Sequence, residues 1–106
     1  MDLRIIKSPS EGTRTMLKKR MGIIGDSSVD TAAAIGLVQG KVIDMVCASD
    51  VAEKAAGVES FDVKGLCPQH MTMIALVGDT SSVEAALNQI KIVLKEGNYS
   101  DYSQID

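Results

Sequence analysis

The spacing of apolar and polar positions changes several times along the chain, and each change marks an element. Leu3-Arg4-Ile5-Ile6-Lys7 is a short β-prone run. It stops at Ser8-Pro9-Ser10, where Pro9 withdraws a ladder donor and suits the first turn of a helix. The helix expected from Ser10 to Met21 carries Met16 and Leu17, ends in the basic triplet Lys18, Lys19 and Arg20, and meets Gly22 as its cap. Ile23 to Asp30, with Gly25, Asp26, Ser27 and Ser28, reads as a surface loop. Ala32 to Val38 reads as a strand of small residues in which Gly36 admits a close neighbour, and Gln39-Gly40-Lys41 reads as the turn after it.

Beyond that turn, Val42, Met45, Val46, Ser49, Ala52 and Ala56 recur at helical spacing and predict an Ala-rich helix ending at Gly57. Val58 to Lys64 alternates as a weak strand, Gly65 to His70 interrupts it, and Met71 to Val77 is the most continuous apolar strand. Ser81-Ser82-Val83-Glu84 has the form of a capping box, followed by Val83, Ala86, Leu87, Ile90 and Leu94 on one helical face. Residues 96–106 read as a polar tail, with Tyr99 and Ile105 expected as its anchors. The order β-α-β-α-β-β-α places the fold in the α+β class. Without its first two elements it is a β-α-β-β-α-β sandwich lacking one strand, which the N-terminal strand can supply.

A length of 106 residues with 45% apolar and 24% charged side chains predicts one domain, 1–106, with its own core. The division expected is 1–22 for the leading strand and helix, 31–95 for the core and 96–106 for the tail. A net charge of -3, only 3% aromatic residues and no long basic run leave neither a polyanion footprint nor a stacking platform, so no nucleic-acid partner is expected. No apolar run has the length of a membrane span, and Met1-Asp2-Leu3-Arg4 does not open a secretory signal, so a cytoplasmic location and no membrane contact are expected. In a reducing compartment the two cysteines, Cys47 and Cys67, read as thiols or metal ligands rather than a bridge.

Candidate chemistry is sparse. Gly36 to Val42 contains a Gly-Lys pair, but its glycines are too close and Val42 stands where a phosphate loop needs Ser or Thr. His70, the single histidine, has no nucleophile at a recognised spacing, so an enzyme is not expected. Gly65-Leu66-Cys67-Pro68-Gln69-His70 holds every soft metal ligand except Cys47. A proline following a ligating cysteine occurs in iron–sulfur sites, but one thiolate and one imidazole are fewer than the roughly four ligands such a site takes. The other reading is that Cys67-Pro68 simply shapes a turn.

Three segments in register resemble the shell proteins of bacterial microcompartments. Ala34-Ile35-Gly36-Leu37-Val38 is similar to the first core strand of that family, and Asp50-Val51-Ala52-Glu53-Lys54-Ala55-Ala56-Gly57-Val58 to its Asp-x-x-x-Lys-Ala-Ala-x-Val helix end. Val77-Gly78-Asp79-Thr80-Ser81-Ser82-Val83-Glu84-Ala85-Ala86 resembles the start of its second helix. Ile5 to Gly22 and Asn98-Tyr99 resemble the lead-in and tail of the circularly permuted ethanolamine and propanediol subclasses. Those subclasses begin with an extra segment that forms a plug over the pore, and the early Arg4 speaks against one here.

The resemblance implies a circularly permuted BMC fold, with the closing strand and a short helix moved to the N-terminus. It implies a homo-hexamer that tiles with other shell proteins into a microcompartment shell. Lys54 would be the edge lysine between hexamers, and Gly65 to His70 the loop lining a central pore for small metabolites. Six-fold repetition would bring several Cys67 thiolates to one axis, as in the glycyl-radical-enzyme type, where they would share a [4Fe-4S] cluster. Two alternatives accompany this reading: a passive metabolite pore without a cluster, and a small-molecule regulatory domain of the same sandwich, assembling as a dimer or trimer.

Overall fold

The structure, a computed structural model, describes residues 1–65 and 70–94. In chain order it contains β1 (Asp2–Lys7), α1 (Glu11–Met21), a 3-10 turn (Ser28–Asp30), β2 (Ala34–Lys41), α2 (Val42–Ala55), β3 (Glu59–Val63), β4 (Met71–Gly78) and α3 (Thr80–Val93). The strands form one antiparallel sheet in the order β1-β2-β4-β3. β1 therefore completes the sandwich from the N-terminal side, its register running from Asp2 opposite Gln39 to Lys7 opposite Ala34.

Side chains alternate across the sheet, so each strand serves two cores. Ala34, Val38, Ile74 and Leu76 face α2 and α3, where Met45, Ala48, Val83, Ala86 and Ile90 meet them. Ile35, Val63, Ala75 and Val77 face the opposite way, toward Leu17 of α1 and Val29 of the 3-10 turn. Gly36 lies under α3, and a Cβ there would stand 3.0 Å from Val83 Cγ1, so glycine permits the close approach read from the sequence.

Local signals set the ends of α1. The Ser10 hydroxyl accepts from the Thr13 N–H, and Gly22 at φ 72° closes the helix in the left-handed region, its N–H directed at the Lys18 and Lys19 carbonyls. Pro9 is buried one position outside the helix, ahead of the Ser10 cap. The stretch read as loop carries the 3-10 turn, whose capping box joins Ser27 to Asp30.

Four local readings are corrected. Gln39-Gly40-Lys41 is strand, because β4 pairs with it as far as Lys41 opposite Met71, and α2 starts directly at Val42. The buried stripe of α2 is Met45, Ala48, Val51 and Ala52, while Val42 and Val46 are turned outward by the way α2 seats on the sheet and α3. α2 ends at Ala56 in extended conformation rather than at a left-handed Gly57. The cap of α3 is Asp79, not Ser81: its carboxylate accepts from the Ser82 N–H at 2.8 Å and the Ser81 hydroxyl at 3.0 Å. Those bonds, the Ser82 N–H first, hold the Asp79 carboxyl below its ordinary range. Glu84 instead faces Lys7 of β1 at 3.7 Å.

Candidate functional site

The segment between β3 and β4 is pinned at both ends by backbone bonds. The Lys64 N–H donates to the Arg20 carbonyl at the end of α1, and the Val42 N–H at the start of α2 donates to the His70 carbonyl, each at 3.0 Å. One end of the sheet therefore gathers the close of α1, the start of α2 and both stems of the predicted pore loop. Gly65 and His70 are exposed on those stems, while Leu66, Cys67, Pro68 and Gln69 lie outside the described residues, as does the tail from residue 95.

Lys54 occupies the opposite end of α2, in its last turn. At the helical rise of about 1.5 Å per residue, the twelve positions from Val42 put it roughly 18 Å from the loop stems. Its ammonium pairs with Asp50 one turn earlier at 2.8 Å. Cys47 is half-buried on α2 and is a free thiol.

Beside the loop stems, α2 and the β3–β4 hairpin enclose a groove of about 660 Å³. Its walls combine apolar Val42, Val46 and Ile74 with polar Ser49, Ser60 and Asp62. The Ser49 and Ser60 hydroxyls bond to one another, and the Glu53 carboxylate accepts from the Ser60 hydroxyl at 2.8 Å and from its N–H at 3.1 Å. Glu53 thus occupies an outward donor of edge strand β3, and Lys64 places the next but one on Arg20. The sequence reading missed this polar seam; Ser49 and Glu53, one helical turn apart, were its only local sign.

Among the described residues no three His, Cys, Asp or Glu side chains gather as a metal site. The donors of the loop are the Cys67 thiol and the His70 imidazole. That set fits a four-iron cluster only where copies of the chain meet on a shared axis. Among the described residues no helix is long and apolar enough to cross a membrane.

The BMC domain family model matches residues 34–106, starting at the first residue of β2 and leaving β1 and α1 ahead of it. The GrpU microcompartment shell protein of Clostridiales bacterium 1_7_47FAA, solved ligand-free, is 45% identical with a TM-score of 0.69 over 92% of this chain and 95% of that one. The GrpU protein of Pectobacterium wasabiae, also ligand-free, is 30% identical with a TM-score of 0.65 over 85% of this chain and 99% of that one. The fused permuted hexameric shell protein of the RMM microcompartment shares the fold at 20% identity and a TM-score of 0.63, over 96% of this chain and 48% of that one. No curated protein matches the chain. With the family's domain beginning at β2 and its closing strand supplied by β1, the chain belongs to the BMC-domain shell proteins of bacterial microcompartments, in circularly permuted form.

Proposed function

We propose that the chain is a structural, non-catalytic tile of a microcompartment shell: a cyclic homo-hexamer whose six β3–β4 loops surround a central pore and whose outer edges carry Lys54. A ring closed by a heterologous interface is the assembly that lets identical chains cover an area. The observation that carries this reading is the placement of the loop stems and Lys54 at opposite ends of α2, in a fold shared with GrpU over nearly its whole length. Other shell proteins are its lateral partners and small metabolites pass through its pore.

In the finer form of this proposal, Cys67 thiolates from several subunits ligate one [4Fe-4S] cluster on the axis, soft sulfur matching the iron. A bound cluster would supply one-electron chemistry. The chain's own part is to present the thiol, with Pro68 as the residue that follows the cysteine in sequence.

Anaerobic purification followed by iron assay and native mass measurement tests both levels. The expected result is a hexamer carrying iron, which Cys67→Ser loses without dissociating and Cys47→Ser retains. Hexamers without iron after anaerobic reconstitution leave the passive pore. A stable dimer or trimer favours the regulatory-domain reading.

A further inference from the structure

The two edges of the sheet are finished differently. On β3 the outward N–H groups of Ser60 and Lys64 are occupied, the first by the Glu53 carboxylate at 3.1 Å and the second by the Arg20 carbonyl at 3.0 Å. On β1 the Ser8 N–H just past the strand donates inward to the Ala33 carbonyl, and by antiparallel alternation Ile6, Arg4 and Asp2 bond inward to β2 in the same way. The backbone groups of Leu3, Ile5 and Lys7 therefore face away from the sheet. Among the described residues only the Leu3 carbonyl of this row is taken, by the Arg4 guanidinium at 2.9 Å. An open row of donors and acceptors is a template for another strand.

A groove of about 240 Å³ runs beside this open edge, between β1 and α3. Leu3, Ile5 and Leu87 form its apolar wall, and Arg4, Asn88 and Lys91 its polar one. The acid in it is Glu84, which faces Lys7 at 3.7 Å; Asp2 stands beyond it at the start of β1. The same contact sets direction. Lys7 ends β1 and Glu84 lies near the start of α3, so α3 runs back along β1 and Leu94 leaves it near the start of the strand, packed on the same core as Leu3 and Ile5. Twelve residues follow Leu94 in the sequence. The place beside β2 is filled by β1, so the open edge next to this segment is the outer one of β1.

We infer that the segment 95–106 docks on the outer edge of β1 as a fifth strand of the sheet, parallel to β1. Extended at about 3.3 Å per residue it reaches roughly 40 Å, about twice the length of a six-residue strand, so half of it suffices for pairing and half for the descent from α3. Leu3, Ile5 and Lys7 bond its backbone. Tyr99 and Ile105, six positions apart and so on one face of a strand, supply apolar side chains to the groove. Charge agrees with this occupant: the segment carries Glu96, Asp101 and Asp106 against one Lys95, and the groove carries Arg4 and Lys91 against a Glu84 already engaged with Lys7. Docking within one chain also needs no assembly, because the covalent link keeps the segment at high local concentration. It is independent of the proposed hexamer and pore.

Hydrogen exchange on the full-length chain, read at the Ile5 and Lys7 amides with native mass taken on the same samples, tests this. The expected result is protection of both amides in wild type. In Ser100→Pro/Ser103→Pro, which removes one donor from each face of the segment, they are expected to exchange about tenfold faster or more, with α3 and β4 amides unchanged. Ile105→Asp, which puts a charge against the apolar wall, is expected to speed the same two amides by a smaller factor. Unprotected Ile5 and Lys7 amides in wild type, or equal protection in wild type and both tail variants, overturns the docking. Protection that both variants keep and that wild type loses on dilution to monomer also overturns it, and assigns the edge to a second copy of the chain.

Discussion

On one face of the sheet, α2 and α3 close over a core in which thirteen described residues, from Ala34 to Ile90, are buried together. On the other face α1 and the 3-10 turn contribute to a core of seven, and Leu17 is the one buried residue of α1. Polar bonds fasten that second layer. The Arg14 guanidinium donates to the carbonyls of Pro9 at 3.0 Å, Val29 at 2.7 Å and Ala32 at 2.8 Å, and the Lys18 ammonium bonds both Asp30 oxygens. Apolar interdigitation stabilises in proportion to area and needs no exact partner, whereas a latch of charge-assisted bonds depends on each donor and on pH. The two-helix face is therefore expected to set global stability, and the α1 face to open locally at lower cost.

Substitutions that break this comparison differ in size. Ile90→Ala, which empties a fully buried site between α3 and the sheet, is expected to cost about 3–4 kcal/mol in urea unfolding and to lower hydrogen-exchange protection throughout. Arg14→Met keeps the aliphatic stem but leaves three carbonyls without their donor. It is expected to cost about 2 kcal/mol, with the exchange rise confined to α1 and the 3-10 turn. An equal rise in α2 and α3 would show that the two layers open as one unit.

Gly36→Ala tests the dry face more gently. The added carbon would stand 3.0 Å from Val83 Cγ1 and 3.3 Å from both Leu87 methyls, and a loss of about 1 kcal/mol is expected as those side chains give way. The smallest effect is one of pH. The Lys18 ammonium first, and then the Ser27 N–H, hold the Asp30 carboxyl below its ordinary value of 3.8. Because the folded pKa is the lower one, this contribution is complete above pH 3.8 and disappears as pH falls through the depressed folded value. Asp30→Asn should flatten that acid limb, leaving the part due to Asp79, and the change should appear first in α1 amides.

The sequence by itself determined whatever depends on neighbours within one turn or one strand. Ser10 and Gly22 bound α1 because a cap bond and a left-handed glycine act over three or four residues. The Val83, Ala86, Leu87, Ile90 face of α3 and the apolar run of β4 were legible for the same reason, since burial on one side leaves a period in the chain. Local evidence misled where packing chose between equivalent options. Gly57 has the residue type of a helix cap but no left-handed turn, because the chain leaves α2 extended toward β3. Both Val42 and Met45 fit an apolar stripe of α2, and only its seating on the sheet and α3 buried the second and exposed the first. Gly65 to His70 was recognisable as a loop with chemistry, but its stems were tied to Arg20 and Val42 by backbone bonds that carry no residue signature. The same is true of three basic residues at that end of the sheet. Arg20, Lys41 and Lys64 are twenty or more positions apart and look like three solvated charges. The antiparallel register brings Lys41 and Lys64 to one end of the sheet, and the bond from the Lys64 N–H adds Arg20 of α1, because pairing sets distance in space without regard to distance along the chain.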